Sequence, residues 1–371
     1  MGVSTLKEQE DINKLAMLSK QTNIVKRQQF TDPYMLYDDY IANKTIKPIR
    51  SIKIPDPINC YGCNEIITKV HSVYMYSCKK CGDKFNTHRY LSRDLTGKLA
   101  LVTGCRTKLG HMVVRKLLDA GATVIGLTRR PECAYELFSK YKDYETIKNR
   151  LIIYKVDLDV PNLEQVFGEL LNKVKDKYEC LDILINCAAQ TIRCRERNTH
   201  DLSERNRYND DKYVKSENVN SWNQTLHDLD QVEMEELYRI NAVAPTLLVK
   251  TFYEMLHKSS RAFIVNVHAR EGLFSVYKSN KHMHTNMAKA GMAMSTLMLY
   301  SHRFKSSNGK KFSINGCDPG WISIDEYYEN DAPWIYPPLD EIDGASRILY
   351  PIFKNINGSP KTRKHYDILM V

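Results

Sequence analysis

The sequence predicts an α/β protein built on a doubly wound parallel sheet, with helices on both faces and a small β-hairpin module ahead of it. Three observations support this fold class. From residue 98 onward, short apolar runs alternate with amphipathic helical stretches, which is typical of a parallel sheet with crossover helices. The apolar runs are continuous, as in strands buried on both faces. Finally, 371 residues with 43% hydrophobic content suffice for one large core and a smaller unit.

The elements follow in order along the chain. The predicted strands are 99–103, 123–128, 151–156, 183–187, 263–267 and 312–316, and the predicted helices are 110–120, 163–178, 232–257 and 285–303. A charged, Asn-rich segment at 192–231, which contains Trp222, is too long for an ordinary connection. It is either a lid or a disordered excursion.

We expect four parts. They are a polar N-terminal segment at 1–54, a small module at 55–94, the main α/β domain at 95–355 with its insertion at 192–231, and a C-terminal tail at 356–371. The boundary near residue 55 rests on the segment 52–57, whose two prolines indicate an extended linker.

Composition and charge exclude several classes of protein. No stretch approaches the roughly 18–20 continuous apolar residues of a membrane span, and residues 1–26 lack the apolar run of a secretory signal. We therefore expect a cytoplasmic protein. The net charge is +10, and residues 1–98 carry 16 Lys and Arg against 10 Asp and Glu. Because acidic residues are interspersed throughout, a solvated basic surface is favoured over nucleic-acid binding.

Four of the ten cysteines form two CxxC pairs, Cys60 with Cys63 and Cys78 with Cys81. This pattern predicts a closed tetrahedral site for a structural zinc, with hairpin strands at 66–70 and 73–77 between the pairs, as in a zinc ribbon. A redox dithiol is the alternative. A basic face on this module would suit an acidic protein partner; its residues are Lys79, Lys80, Lys84 and Arg89.

The first strand of the main domain ends in a glycine-containing turn that opens a helix. Backbone amides and the helix dipole can hold a pyrophosphate there. The turn consists of Thr103, Gly104, Cys105, Arg106, Thr107, Lys108, Leu109 and Gly110. It resembles the TGxxxGxG turn of short-chain dehydrogenases/reductases, with Lys108 replacing the middle glycine. The resemblance implies a Rossmann-type fold and a nicotinamide cofactor bound by residues of this turn.

Further positions extend the resemblance. Arg129 follows the second strand, where an acid would favour NAD and an arginine suits the 2′-phosphate of NADP(H). We therefore expect NADP(H), with NAD as the alternative. The resemblance adds further cofactor-binding positions; they are Asp157, Asn186 and Ala188 of an Asn-Cys-Ala-Ala stretch, and Pro319, Gly320 and Ile322 of a Pro-Gly motif facing the nicotinamide.

The catalytic set of the family is only half present. Asn241 matches the family's Asn, and Lys289 matches its Lys, which also holds the cofactor ribose. Thr285 stands where the catalytic Tyr is expected, and Ala269 stands at the Ser position. Since a threonine hydroxyl is far less acidic than a phenol, His284 beside it is the candidate proton-transfer group.

Two functions remain open. The first is an atypical NADP(H)-dependent oxidoreductase that passes a hydride between the nicotinamide and a small-molecule carbonyl or alcohol. The second is a catalytically silent dinucleotide-binding protein that uses the cysteine module for interaction or regulation. The resemblance also implies a homo-oligomer formed through the helices at 232–257 and 285–303.

Overall fold

The computed structural model describes residues 33–42, 51–190, 224–322 and 337–356. The strands are β1 Ser51–Asn59, β2 Ile66–His71, β3 Leu99–Thr103, β4 Thr123–Thr128, β5 Leu151–Lys155, β6 Ile183–Asn186, β7 Phe263–Val267 and β8 Ser313–Cys317. The helices are α1 Pro33–Ala42, α2 Lys79–Tyr90, α3 Lys108–Asp119, α4 Pro131–Ser139, α5 Tyr144–Ile147, α6 Leu163–Lys175, α7 Gln231–Tyr238, α8 Ala244–Lys258, α9 Met283–Ser301 and α10 Glu341–Asn355.

The main sheet has six parallel strands in the order β5-β4-β3-β6-β7-β8. Strand β3 shows why both faces need cover, because its side chains alternate between two apolar cores. Ala100 and Val102 join the core under α3 and α10, whereas Leu99 and Leu101 join the core under α6 and α8. The predicted doubly wound fold is confirmed.

The helix predicted at 232–257 is wrong as a single element. It consists of α7, a wide turn of π-helix at Arg239–Val243, and α8. Pro245 lies in the first turn of α8 and has no amide hydrogen to donate to the preceding turn. A π-helical turn at this point accommodates the missing hydrogen bond.

The module ahead of the sheet differs from the predicted hairpin. Strand β2 lies where expected, but its partner is β1, so the segment 52–57 is an antiparallel strand and not a linker. Pro55 and Pro57 fall where the register between the two strands shifts, which is a position that an edge strand tolerates. The strand predicted at 73–77 is wrong, because these residues form turns that lead into α2.

Helix α1 belongs to the main core although it comes from the segment expected to be polar. Tyr37 and Tyr40 are buried among the residues of the first core. The Tyr40 hydroxyl accepts a hydrogen bond from Lys116 Nζ at 3.0 Å, and the Arg115 guanidinium lies 4.5 Å from the centre of the Tyr37 ring. The division of the chain at residue 54 stays a prediction.

Two other expectations concern parts of the chain that the structure leaves out. Most of the expected insertion, residues 192–223 with Trp222, lies outside the described residues, as does the tail from 357 onward. Among the helices that are described, none is both long enough and apolar enough to cross a membrane.

Candidate active site

The expected site residues gather at one edge of the main sheet. The turn after β3, Arg129 after β4, Asp157 after β5 and the Pro-Gly motif after β8 all follow the carboxyl ends of parallel strands. The strand order reverses between β3 and β6. A crevice at such a reversal is where ligands bind in open parallel sheets.

The glycine turn is tightly packed. Gly104 has a φ of +73°, and a Cβ at this position would lie 2.8 Å from Ala188 Cα. A Cβ on Gly110 would lie 2.1 Å from the carbonyl oxygen of Gly104, which no side chain tolerates. The turn and the segment after β6 therefore pack backbone to backbone beside the start of α3.

Lys108 has a left-handed backbone conformation of the kind that glycine adopts readily. Its φ is +48°, in the left-handed region that costs a residue with a Cβ roughly 1–2 kcal/mol. The turn thus contains a half-buried lysine with a positive φ at the start of α3.

Three arginines lie close together beside the turn. Arg106 is buried, and burial, followed by repulsion from Arg130 and Arg129, lowers the pKa of its guanidinium. Arg129 is exposed and Arg130 is half-buried. Like charges held together in this way are stabilised by an anion, and a phosphate monoester fits their chemistry.

Other expected cofactor residues have structural contacts. The Thr103 hydroxyl accepts hydrogen bonds from the amides of Cys187 and Ala188, at 3.0 and 2.9 Å. Asn186 is buried, and its amide donates to Asn266 Oδ1 at 2.8 Å. The Thr103 and Asn186 side chains thus stabilise the end of β6 and the loop that follows it. Asp157, by contrast, is exposed at the edge of the sheet. Leu109, on the first turn of α3, lies against α10 next to Gly344.

Lys289 and Thr285 lie one turn apart on the buried face of α9. Lys289 Nζ donates to the carbonyl oxygen of Val267 at 3.1 Å, so the lysine reaches the end of β7. Burial lowers the pKa of Lys289, while nearby Cys187, Glu271 and Asp318 oppose the shift. The structure therefore brings the expected lysine and threonine together at the carboxyl edge of the sheet.

Two acidic residues near Lys289 were missed from the sequence. Asp318 directly precedes the Pro-Gly motif, and Glu271 follows β7; both are buried. Burial and the Glu271 charge raise the pKa of Asp318, although the amide of Gly320 donates to its carboxylate at 2.8 Å. A carboxyl group with a raised pKa keeps its proton closer to neutrality and can donate it. The signal in the sequence that could have found them is an acidic residue in each of the two loops that follow neighbouring strands, β7 and β8.

Asn241 lies in the π-helical turn and is buried. Its Oδ1 accepts from the amide of Gln190 at 3.0 Å, and its Nδ2 donates to the carbonyl oxygen of Gln190 at 2.8 Å. The Gln190 side chain also donates to Glu236 Oε1 at 2.7 Å. Asn241 thus holds the backbone where the chain leaves β6 for the expected insertion.

His284 is buried beside Glu233, with 4.0 Å between His284 Nε2 and Glu233 Oε1. Burial lowers the pKa of His284, and the Glu233 charge partly opposes this shift. The imidazole is therefore neutral at neutral pH, and the same shift makes it a weaker base than an exposed histidine. It borders an open pocket of about 410 Å³, whose other lining residues are Met234, Glu235, Tyr238, Arg239, Val243 and Met287.

The four cysteines of the module meet at one point. All four sulfur atoms lie within 4.8 Å of one another, and the Sγ atoms of Cys63 and Cys78 are 4.0 Å apart. Zinc–sulfur bonds of about 2.3 Å in a tetrahedron imply about 3.8 Å between sulfurs. The amide of Cys78 donates to Cys60 Sγ, and the amide of Cys81 donates to Cys78 Sγ. The cluster can hold a metal ion.

The predicted basic face of the module is wrong at Arg89. This residue is fully buried, and its Nη1 donates to both carboxylate oxygens of Asp340 at 2.6 and 2.8 Å. Asp343 Oδ1 lies 2.9 Å from the same nitrogen. Arg89 is therefore an internal link between α2 and α10, and it is not available to a partner.

The family model for short chain dehydrogenases matches residues 98–323, more than half of the chain. The chain belongs to this family. The match begins at the start of β3 and ends just after the Pro-Gly motif, so it covers the whole six-stranded sheet. The four-cysteine module lies ahead of the part that the short-chain dehydrogenase model describes.

Two curated relatives match more than two thirds of the chain. An uncharacterised protein of Acanthamoeba polyphaga mimivirus is 34% identical over 367 residues, covering 86% of this chain and 78% of its own length. An uncharacterised oxidoreductase of Staphylococcus saprophyticus is 24% identical over 270 residues, covering 71% of this chain and 96% of its own.

Solved short-chain dehydrogenases share the fold. A structure from Shigella flexneri has a TM-score of 0.54 at 15% identity and covers 72% of this chain and 90% of its own. A structure from Escherichia coli, complexed with NADPH, has a TM-score of 0.51 at 16% identity and covers 69% and 89%. The Rossmann-type architecture expected for this chain is thereby confirmed.

Proposed function

We propose that this short-chain dehydrogenase is an NADP(H)-dependent oxidoreductase that acts on a small-molecule carbonyl or alcohol. The observation that carries the proposal is the arginine cluster at the ends of β3 and β4. Arg129 lies after β4, where an NAD-preferring site would carry an acid for the ribose hydroxyl, and it suits a 2′-phosphate instead. Arg106, in the neighbouring glycine turn, adds a second positive charge for that phosphate. The Escherichia coli relative, whose fold is similar, is complexed with NADPH.

The residues of the carboxyl edge fit this cofactor. The close approach of Gly104 to Ala188 and the start of α3 leave backbone amides for a pyrophosphate, and Lys108 adds a positive charge beside them. Lys289 is proposed to hold the ribose of the cofactor, as its counterpart does in the family. When bound, the nicotinamide supplies or accepts the hydride; the protein supplies its orientation and a route for the proton.

The chain's own groups must move that proton without the usual tyrosine and serine. By the resemblance in sequence, Lys289 and Asn241 correspond to the family's lysine and asparagine, and Thr285 corresponds to its tyrosine. His284 is the proposed proton-transfer group near the substrate, and Asp318, with its raised pKa, is suited to donate a proton. These roles are proposals.

A catalytically silent nucleotide-binding protein is the second candidate. It is favoured by Ala269 and Thr285, because two of the four positions that the family uses for chemistry cannot transfer a proton readily. On this reading the cysteine module is the functional surface and meets a protein partner. Retention of Lys289 and Asn241 favours the enzyme.

Three further properties go with the main proposal. The four-thiolate cluster holds a structural zinc, since a closed tetrahedral shell leaves no coordination position for catalysis. A second copy of the chain covers the exposed side of α9. The protein acts in the cytoplasm, where reduced thiolates persist.

The cofactor is tested by titrating the full chain with NADPH and with NADH while nicotinamide fluorescence is followed. Arg129→Ala should weaken NADPH binding by about ten-fold, since one charge-assisted bond to phosphate is lost, and should leave NADH binding unchanged. Arg93→Ala, an exposed arginine ahead of the sheet, is the matched control. No binding of either nucleotide contradicts the proposal.

If NADPH binds, a screen of carbonyl substrates in the wild type and in His284→Ala separates the enzyme from the silent protein. Turnover by the wild type supports the enzyme.

A further inference from the structure

The loop after β8 closes against the four-cysteine module. Gly320 has a φ of +85°, and a Cβ there would lie 2.5 Å from Arg347 Nη1 and 2.8 Å from Tyr61 Oη. Glycine alone leaves room for both groups in this backbone conformation. The Pro-Gly loop therefore touches a side chain that comes from far earlier in the chain.

Tyr61 lies inside the cysteine knuckle, between Cys60 and Cys63. Its hydroxyl accepts a hydrogen bond from the amide of Trp321 at 2.9 Å, and its own amide donates to the carbonyl oxygen of Tyr76 at 2.7 Å. Because metal ligands flank Tyr61 on both sides, the position of its backbone depends on the state of the thiolate cluster.

Apolar packing joins the same two parts. Trp321 packs against the core of the β1–β2 hairpin, which includes Ile58 and Val70. Ile322 packs against a second cluster that contains Cys60 and Phe85. Two consecutive residues of the loop are thus held by the module, one on each side of the knuckle.

We propose that the metal-loaded four-cysteine module is part of the cofactor site, with Tyr61 as a positioning residue that holds the 319–322 loop in place for the nicotinamide. The inference rests on the NADP(H) function proposed above. Structural metal sites contribute folding energy to the chain around them. Loss of the metal therefore releases Tyr61 and the loop, and metal and cofactor strengthen each other's binding by the same factor.

The first test is Tyr61→Phe in the full, metal-loaded chain, which removes one hydroxyl and keeps the ring. Its dissociation constant for NADPH should rise about five-fold, the typical effect of one hydrogen bond. In the absence of any nucleotide, hydrogen exchange at the Trp321 amide should accelerate by about ten-fold. The metal content, measured by mass spectrometry, should equal that of the wild type.

Tyr74→Phe is the matched control. The hydroxyl of Tyr74 belongs to the same module but donates to Asp343 Oδ1 on α10, at 2.8 Å. This variant should lower stability as much as Tyr61→Phe, without changing NADPH affinity or exchange at Trp321. Equal effects of the two variants on NADPH affinity would overturn the proposal, because they would mark a loss of stability and no positioning.

Removal of the metal with a chelator is the second arm. Chelation should weaken NADPH binding in the wild type and should weaken it less in Tyr61→Phe, where the link is already broken. If the wild type binds NADPH and neither change affects it, the inference fails and the proposed function stands. If the wild type binds no NADPH, the proposed function fails and takes the cofactor role of the module with it; exchange at Trp321 still decides whether the module holds the loop.

Discussion

His111 is a buried residue that supports the glycine turn from inside α3. Its Nδ1 lies 3.1 Å from the carbonyl oxygen of Arg106, and its Nε2 lies 2.9 Å from the hydroxyl of Tyr141. In the first contact Nδ1 carries a proton and donates a hydrogen bond to the carbonyl oxygen. In the second contact Nε2 accepts a hydrogen bond from the phenol. A neutral imidazole satisfies both contacts.

This arrangement predicts a loss of stability in mild acid. Burial lowers the pKa of His111 from 6.5 to about 3. Because the unfolded state takes up a proton near pH 6.5 and the folded state does not, the stabilisation is complete above pH 6.5 and falls as the pH drops toward 3. Between pH 7 and pH 5 the contribution of His111 should fall by about 2 kcal/mol.

Urea unfolding at pH 7, 6 and 5 measures this effect in the wild type and in His111→Gln. The free energy of unfolding should fall less steeply in the variant. His302→Gln, at an exposed histidine, should keep the slope of the wild type. Parallel curves for His111→Gln and the wild type would contradict the assignment.

At the scale of elements, α2 and α10 are joined by an ion pair that neither helix shows in isolation. The Asp340 carboxylate caps α10 by accepting a hydrogen bond from the amide of Asp343. The Asp343 carboxylate in turn accepts a hydrogen bond from the amide of Asp340. Arg89 enters this capping box from α2. The first turn of α10 is therefore held both by its own capping box and by Arg89 of the cysteine module.

Arg89→Met should lower the free energy of unfolding by about 3–5 kcal/mol, since removing one partner leaves buried carboxylates without compensation. Chemical denaturation measures the loss. The double variant Arg89→Met with Asp340→Asn should recover part of it. Lys79→Met is the control; it breaks an exposed pair with Asp83 and should lower the free energy of unfolding by under about 1 kcal/mol. A similarly small loss for Arg89→Met would show that the buried ion pair does not stabilise the contact between α2 and α10.

At the scale of the whole molecule, α9 has one buried and one exposed apolar side. Met287, Met294 and Met298 are 46%, 56% and 54% exposed, and their spacing places them on one face of the helix. Leu297 lies beside them. Such a stripe is costly to leave in water and is typical of an interface between proteins.

We expect a homo-oligomer in which a second copy covers this stripe, and Leu297→Glu should shift the mass toward that of a monomer. Light scattering at micromolar concentration measures it. Thr123→Ser, a small change at the start of β4 away from the stripe, should leave the mass unchanged. A monomeric wild type would contradict the expectation.

Much of the fold was predictable because the strands of the main sheet are buried on both faces. Continuous apolar runs mark five of its strands to within one residue, and the last, β8, is displaced by one. The hairpin was less predictable, because Pro55 and Pro57 indicate extended backbone without indicating whether it pairs. The break at Asn241 also escaped detection, since a proline in the first turn of a helix and a proline inside one long helix look alike in sequence.

The residues of the site were also predictable only in part. The four cysteines, the glycine turn and Lys289 were found because their chemistry depends on short spacings along the chain. Asp318 and Tyr61 were missed because their neighbours come from distant segments.

The sequence by itself determined the doubly wound fold class and the two close cysteine pairs, since each is encoded locally by residue type and spacing. Only the tertiary structure decided that Arg89 is buried against α10, that Asp318 lies near Lys289, and that the module reaches the Pro-Gly loop. These are contacts between segments up to some 260 residues apart, and their energies depend on burial and distance, which the order of residues does not contain.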